Sequence, residues 1–148
     1  YDKPKWPTDP LFYANFTSKT NAKTAPINCE NGFFLIPIAT NLEDSNEIRE
    51  KYFNIILEKL EGYTKQKLKD SIIFKKSFCV SDFKKEYNSY GGNAYGLANT
   101  LFQTAFLRPN IKSKLVQNLY FCGQLTVPGP GVPPAIVSGE LVANLINK

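Results

Sequence analysis

The chain has 148 residues, 18 basic against 13 acidic side chains, a formal net charge of +5, and neither His nor Met. That length can hold one domain with a reasonable core, while the missing His removes the usual general base and the commonest metal ligand, so no metal site is expected. Only two arginines are present, Arg49 and Arg108, so the lysines gathered between Lys59 and Lys85 read as a solvated face and not as a nucleic-acid surface, which needs clustered arginine and exposed aromatics.

In chain order, residues 1–10 hold three prolines and read as a loose, extended arm. Residues 11–16 are aromatic-rich and predict a strand, followed by a polar loop over 17–30. Residues 33–38 predict a second strand, apolar on both faces and so buried, with Pro37 marking an edge or an end. Asp44, with Glu47 three residues on, gives a capping-box-like start. The amphipathic helix 48–61 follows, with Phe53, Ile56, Leu57 and Leu60 on one face, and Gly62 is expected to end it. Its role is packing. Residues 71–79 predict a further strand and 82–88 a helical turn. The glycine-dense stretch 91–96 is the expected boundary between two regions, 1–90 and 91–148. Residues 97–107 fit either a helix or an irregular buried stretch, closed by Arg108-Pro109, since proline disfavours helix at the residue before it.

The last thirty residues organise the rest. Residues 119–122 predict a short buried strand ending at Gly123. A Pro/Gly loop covers 127–131. Residues 132–146 predict a helix with Pro133 in its first turn, where a missing N–H costs nothing. Its apolar residues run nearly all round, which predicts burial. A strand, glycine-rich loop and helix bring a ligand to unpaired N–H groups and the positive end of a helix dipole. Gly129 and Gly131 allow close approach. A phosphate or the carbonyl edge of a flavin suits such a place, and a plain βα turn stiffened by prolines suits the same residues. The segment is not a dinucleotide fingerprint, because Pro134 stands where the third glycine belongs.

Cys29, Cys79 and Cys122 are odd in number and far apart, so neither a disulfide framework nor metal-ligand spacing is implied, and they suit a reducing cytoplasm. No apolar run reaches about 18 residues, the length of a membrane-spanning helix. The basic balance is compatible with weak attraction to anionic lipid head groups. Because the chain starts at Tyr1 and has no Met, it is expected to be a piece of a longer polypeptide.

Three motifs carry a family resemblance: Gly92-Asn-Ala-Tyr-Gly96; Gln103-Thr-Ala-Phe-Leu-Arg108-Pro109; and Asn118-Leu-Tyr-Phe-Cys-Gly-Gln-Leu-Thr126-Val-Pro128-Gly-Pro-Gly131-Val-Pro133. Together they resemble the C-terminal end of bacterial-type phytoene desaturases, which are FAD-dependent carotenoid desaturases. Asp9-Pro10-Leu-Phe-Tyr13, Ala25-Pro26 and Phe33-Phe-Leu-Ile-Pro37 resemble the segment before it, so the likeness covers nearly the whole chain. It implies an α/β (mixed α+β) fold, the C-terminal portion of a two-domain FAD/NAD(P)-binding flavoprotein. Residues 1–90 would be part of the substrate-binding domain, and 91–148 the C-terminal part of the FAD-binding domain, with its final strand, loop and helix.

By the same resemblance, Gly123, Gln124, Gly131, Val132 and Pro133 are the expected FAD contacts. Related flavoproteins carry an acid that bonds the ribityl chain at the position of Gln124, so what carries over there is the position, not the identity. Pro133 has no N–H, which leaves Val132 as the better donor. Thr126 and Pro128 would shape the loop. Tyr95, Phe102 and Arg108 are the expected substrate-side residues; Arg108 also fits a salt bridge that ties its segment down. No residue is assigned a catalytic role. The implied partners are a carotenoid substrate and the remaining N-terminal part of the parent enzyme, in a cytoplasmic protein whose peripheral association with membrane follows from a lipid substrate. The family's pyrophosphate-binding Gly-x-Gly-x-x-Gly has no counterpart here, so this stretch alone should bind FAD poorly and be inactive. Carotene isomerases and retinol saturases look similar. A non-catalytic module binding an acidic partner through its basic face is the reading from a different class.

Overall fold

The computed structural model describes residues 3–98, 100–104 and 107–147. Among these residues the fold is mixed α/β, with one antiparallel strand pair and three α-helices joined by 3-10 turns and irregular segments. The chain divides into two compact units, Tyr1–Gly92 and Asn93–Lys148.

In the first unit, β1 (Tyr13–Phe16) and β2 (Gly32–Leu35) pair with Tyr13 opposite Leu35 and Phe16 opposite Gly32. Phe16 and Phe34 meet edge-on with ring centres 5.7 Å apart, and Tyr13 and Phe33 do so at 6.5 Å. Such cross-strand aromatic pairs are what hold a ribbon together. The expected burial of the second strand is corrected: Phe33 and Phe34 are both exposed. A two-stranded ribbon has two open faces, and apolar residues on both cannot be covered by the ribbon itself. The strand stops at Leu35, before Pro37, which has no N–H for a ladder.

α1 (Asn46–Thr64) carries the core of this unit on one face, with Tyr52, Ile56 and Leu57 buried beside Leu42 and Val80. Both ends of the predicted helix shift. The cap is Ser45, whose hydroxyl accepts from the Ile48 N–H at 3.4 Å, and not Asp44, whose carboxylate is engaged elsewhere. Gly62 does not end the helix. The stop comes at Lys65, in the left-handed region with φ 58°, whose N–H reaches the Glu61 carbonyl at 2.8 Å. The Glu61 carboxylate then accepts the N–H groups of Leu68 and Lys69 at 2.6 and 3.1 Å, turning the chain away. A Cβ added at Gly62 would meet nothing within 4 Å. Gly62→Ala is therefore expected to stabilise the unit by about 0.5–1 kcal/mol, the helical cost of glycine, read as a higher unfolding midpoint in urea.

The N-terminal arm is not loose. The Tyr52 hydroxyl donates to the Pro7 carbonyl at 2.6 Å, and the Trp6 indole N–H donates to the Glu43 carbonyl at 2.7 Å. Trp6 stacks on Tyr52 with centroids 4.5 Å apart, and Lys59 Nζ donates to the Pro10 carbonyl at 2.8 Å. An arm carrying one large aromatic buries enough surface to dock, and its prolines lose little backbone freedom in doing so.

α2 (Val80–Tyr87) starts two residues earlier than expected, with the Asp82 carboxylate accepting the Cys79 N–H at 2.8 Å, and ends at Asn88 in the left-handed region. The strand predicted over 71–79 does not form. A 3-10 turn, Lys69–Ser71, leads into an irregular run in which Ile73 and Phe74 are 84% and 79% exposed. Strand propensity there is real, but a strand exists only when it pairs, and this run does not join the β1–β2 ribbon, the one sheet among the described residues.

In the second unit, α3 (Val132–Ile146) has the predicted bounds but not the predicted burial: Val132, Ile136, Leu141, Leu145 and Ile146 are exposed, and Ser138 is its buried residue. The strand predicted over 119–122 reduces to one bridge between Lys112 and Tyr120, in a hairpin-like turn where Phe121 N–H reaches the Ile111 carbonyl at 2.7 Å. Leu119 and Phe121 are exposed, so the expected buried strand is corrected as well, again for want of a sheet. Of residues 97–107, Leu101–Gln103 form an exposed 3-10 turn, while Asn99, Ala105 and Phe106 lie outside the described residues. Among the described residues, the buried apolar side chains belong to the first unit, whereas those buried in the second are Arg108, Thr126 and Ser138. No helix among them is long and apolar enough to cross a membrane.

Candidate cofactor-binding site

α3 begins at a bend made by two glycines. Gly129 (φ 138°) and Gly131 (φ 112°) hold backbone conformations that residues with side chains avoid. Gly131 is the N-cap and offers no side chain to the helix. In the first turn, Pro133 and Pro134 have no N–H, and the Ala135 N–H is bonded to the Gly131 carbonyl at 3.0 Å. The donor chemistry of that turn therefore falls to the Val132 N–H, at the positive end of the helix dipole.

Buried polar contacts hold this bend. The Thr126 hydroxyl, fully buried, donates to the Pro109 carbonyl at 2.7 Å and ties the loop to the Arg108-Pro109 segment. The Gly123 N–H donates to Ser138 Oγ at 2.6 Å, and that hydroxyl donates to the Ala135 carbonyl at 2.6 Å. Gly96 presses on the Gln124 backbone, so a Cβ there would fall 2.8 Å from the Gln124 carbonyl oxygen. The Asn93 side-chain oxygen accepts the N–H groups of Tyr95 and Gly96 at 2.8 and 2.6 Å, which fixes the turn presenting Tyr95. The Val127–Pro128 peptide bond is cis.

These contacts frame an open concavity of about 350 Å³ lined by Ala94, Tyr95, Gln124, Gly131, Val132 and Ala135. Its surface is mainly apolar, and Gln124 and Val132, the first residue of α3, are among the residues that line it. Concave apolar sites with a few placed polar groups are the usual form of a cofactor pocket. Four of the residues singled out from sequence, Tyr95, Gln124, Gly131 and Val132, meet here. Pro133 follows in α3 with its surface exposed, and Gly123 serves as the tie to Ser138. Phe102 is 79% exposed and outside the lining, and Arg108 lies beneath the loop against Gly129. Ser138 and Gly96 were not singled out from sequence. The available signal for Ser138 was a lone hydroxyl among apolar residues mid-helix.

No family model matches the chain. It is 46% identical over 146 residues to carotenoid 3,4-desaturase of Haloarcula japonica, an alignment covering 99% of this chain and 30% of that protein. It is 34% identical over 148 residues to 4,4'-diapophytoene desaturase (4,4'-diaponeurosporene-forming) of Staphylococcus haemolyticus, covering 94% of this chain and 29% of that one. Against 4,4'-diaponeurosporene oxygenase of Staphylococcus aureus it is 35% identical over 144 residues, covering 95% and 29%. The chain thus spans about three tenths of the length of these curated relatives. Over nearly its whole length the chain is similar to carotenoid desaturases, matching one segment of those longer enzymes.

Proposed function

We propose that the chain is the C-terminal part of an FAD-dependent carotenoid desaturase and forms one wall of its flavin site. The observation that carries this is the meeting of Tyr95, Gln124, Gly131 and Val132 around one apolar concavity, in a chain 46% identical to a carotenoid 3,4-desaturase. The residues fit the group: a flat ring system with a polar edge asks for apolar surface, one or two fixed donors and a positive local potential, and the bend at Gly129 and Gly131 leaves the backbone bare of side chains.

A bound flavin would supply the hydride acceptor that desaturation requires. The protein's share is placement. Val132 and Gln124 would orient the polar ring edge, while Ala94, Tyr95 and Ala135 would keep water from its face. The dipole of α3 would favour negative charge developing there. In the intact enzyme, residues 1–90 would belong to the substrate side and 91–148 to the cofactor side, with the remaining chain supplying the pyrophosphate site. The substrate would be a carotenoid, and a cytoplasmic protein associating peripherally with membrane would suit so apolar a molecule. The S. aureus relatives favour one second reading, oxygenation of a carotenoid end, although at 35% identity against 46%.

Visible absorbance of the full-length protein carrying this chain tests the reading. Oxidised-flavin bands, bleached on reduction, together with a carotenoid product that gains a double bond, are the expected result; a product that gains oxygen moves the assignment to the second reading. Val132→Pro, at a helix position that accepts proline, should weaken FAD binding about tenfold. A folded, colourless protein that refuses added FAD and binds acidic partners in a salt-sensitive way would overturn it.

A further inference from the structure

Ser138 lies near the middle of α3 and is fully buried, in a helix whose other side chains are mostly apolar. Alanine would serve helix formation better, so the hydroxyl is explained by its contacts. It donates to the Ala135 carbonyl one turn back at 2.6 Å and accepts the Gly123 N–H at 2.6 Å. Both partners bear on the concavity. Ala135 lines it, and Gly123 directly precedes Gln124, which lines it too. Gly123 holds φ 102°, a conformation that side chains avoid, while a Cβ there would meet nothing within 4 Å. The glycine is thus needed for the backbone direction that brings its N–H to α3, and not for lack of room. Gly96 supplies a second contact on this backbone, since a Cβ there would fall 2.8 Å from the Gln124 carbonyl oxygen. Residues 123–124 are therefore held at two points, by a hydrogen bond to α3 and by close packing against Gly96.

Resting on the flavin reading above, we infer that Ser138 is a positioning residue for the cofactor site. By tying Gly123 to α3 it sets the spacing between Gln124 and the helix residues Val132 and Ala135, and so the fit of the flavin ring between them. Ser138 is not among the lining residues, and its proton is engaged by Ala135, so it acts through Gln124 and not by touching the cofactor. Without its oxygen the Gly123 N–H loses this partner, and the backbone carrying Gln124 is released on the α3 side. A shift of that wall by a fraction of an ångström is enough to weaken a fit that depends on fixed geometry.

The test is FAD titration of the full-length protein carrying this chain, freed of its cofactor, with the visible flavin spectrum and the urea unfolding midpoint read on the same samples. Ser138→Ala should weaken FAD binding about tenfold, the effect of one lost hydrogen bond at the site, and should shift the flavin bands. Ser138→Cys keeps a donor, but its sulfur accepts weakly and at longer range, so affinity should fall less, about threefold. A lowered unfolding midpoint in Ser138→Ala, with FAD affinity and flavin spectrum equal to those of the unaltered protein, marks the residue as structural only; it overturns the inference and leaves the flavin reading standing. Refusal of FAD by the unaltered protein removes both. Should Ser138→Ala fail to fold, Ser138→Cys carries the test, and an unchanged affinity and spectrum there count equally against the inference.

Discussion

Gly92→Ala is expected to destabilise the first unit by about 3 kcal/mol, the sum of a left-handed backbone in a residue with a side chain and of overpacking at a closed contact. Gly92 has φ 72°, and a Cβ there would fall 2.5 Å from Val80 Cγ1 and 2.5 Å from the Val80 carbonyl oxygen. Real Cβ atoms do not approach so closely, and one of the two obstacles is backbone, which cannot rotate aside. Val80 is among the most buried residues of the unit and opens α2. The displacement would therefore reach the start of α2 as well as the turn closed by the Gly92 N–H on the Ser89 carbonyl at 3.1 Å. For a chain of this size the melting temperature should drop by roughly 6–12 °C. Gly91→Ala is the comparison. It has φ 62°, but the nearest atoms to its Cβ would be the end of the Asn41 side chain at 3.0 Å, which can move, so its effect should be the smaller of the two. Equal midpoints for Gly92→Ala and the unaltered chain would show that this contact is not closed in solution.

Asp44 is the second position where a large effect is expected. Its carboxylate accepts from the Arg49 guanidinium at 2.6 Å, the Ser81 N–H at 3.0 Å and the Ser81 hydroxyl at 3.1 Å. Arg49 also pairs with Asp82 at 2.7 Å and donates to the Ser81 hydroxyl at 2.8 Å. The cluster joins the first turn of α1 to the first turn of α2. Burial pushes the Asp44 carboxyl up, but the Ser81 N–H, the Arg49 guanidinium and the Ser81 hydroxyl outweigh it and hold the group below the usual carboxylate range. The sign follows directly. A carboxyl whose folded pKa lies below its unfolded one contributes stability above the unfolded value, near 4, and loses that contribution as pH falls through the folded value. Asp44→Ala should cost about 3 kcal/mol at neutral pH, because it leaves Arg49 short of its closest partner in a poorly solvated place. It should also flatten the acid limb of the stability curve. Urea unfolding from pH 7 to pH 2 measures both. If the variant loses stability in parallel with the unaltered chain through the acid range, the acid sensitivity arises at other carboxylates.

The local signals were readable where local chemistry decides the outcome. α3 has the bounds its Gly131 cap, its prolines and its apolar run predict, because proline and glycine restrict the backbone without help from distant residues. That Pro133 and Pro134 bring no N–H to the first turn was likewise readable. The resemblance in residues 92–133 pointed to carotenoid desaturases, and the 46% identity to a carotenoid 3,4-desaturase agrees.

Everything that required a partner in space was decided by tertiary structure. Residues 71–79 and 119–122 have strand composition, yet pairing is non-local, and among the described residues neither run joins the β1–β2 ribbon. The apolar circumference of α3 predicted burial, but burial depends on what stands opposite, and its apolar side chains remain exposed. The end of α1 shifted past Gly62 because the Glu61 carboxylate found Leu68 and Lys69. Asp44 reached across to Ser81 and left the cap to Ser45. The meeting of Tyr95 with Gln124, Gly131 and Val132 depends on Gly96 packing against the Gln124 backbone, a contact between residues 28 positions apart that no local pattern encodes. Backbone restriction travels with the residue that imposes it, whereas burial, pairing and pocket formation are properties of two surfaces at once.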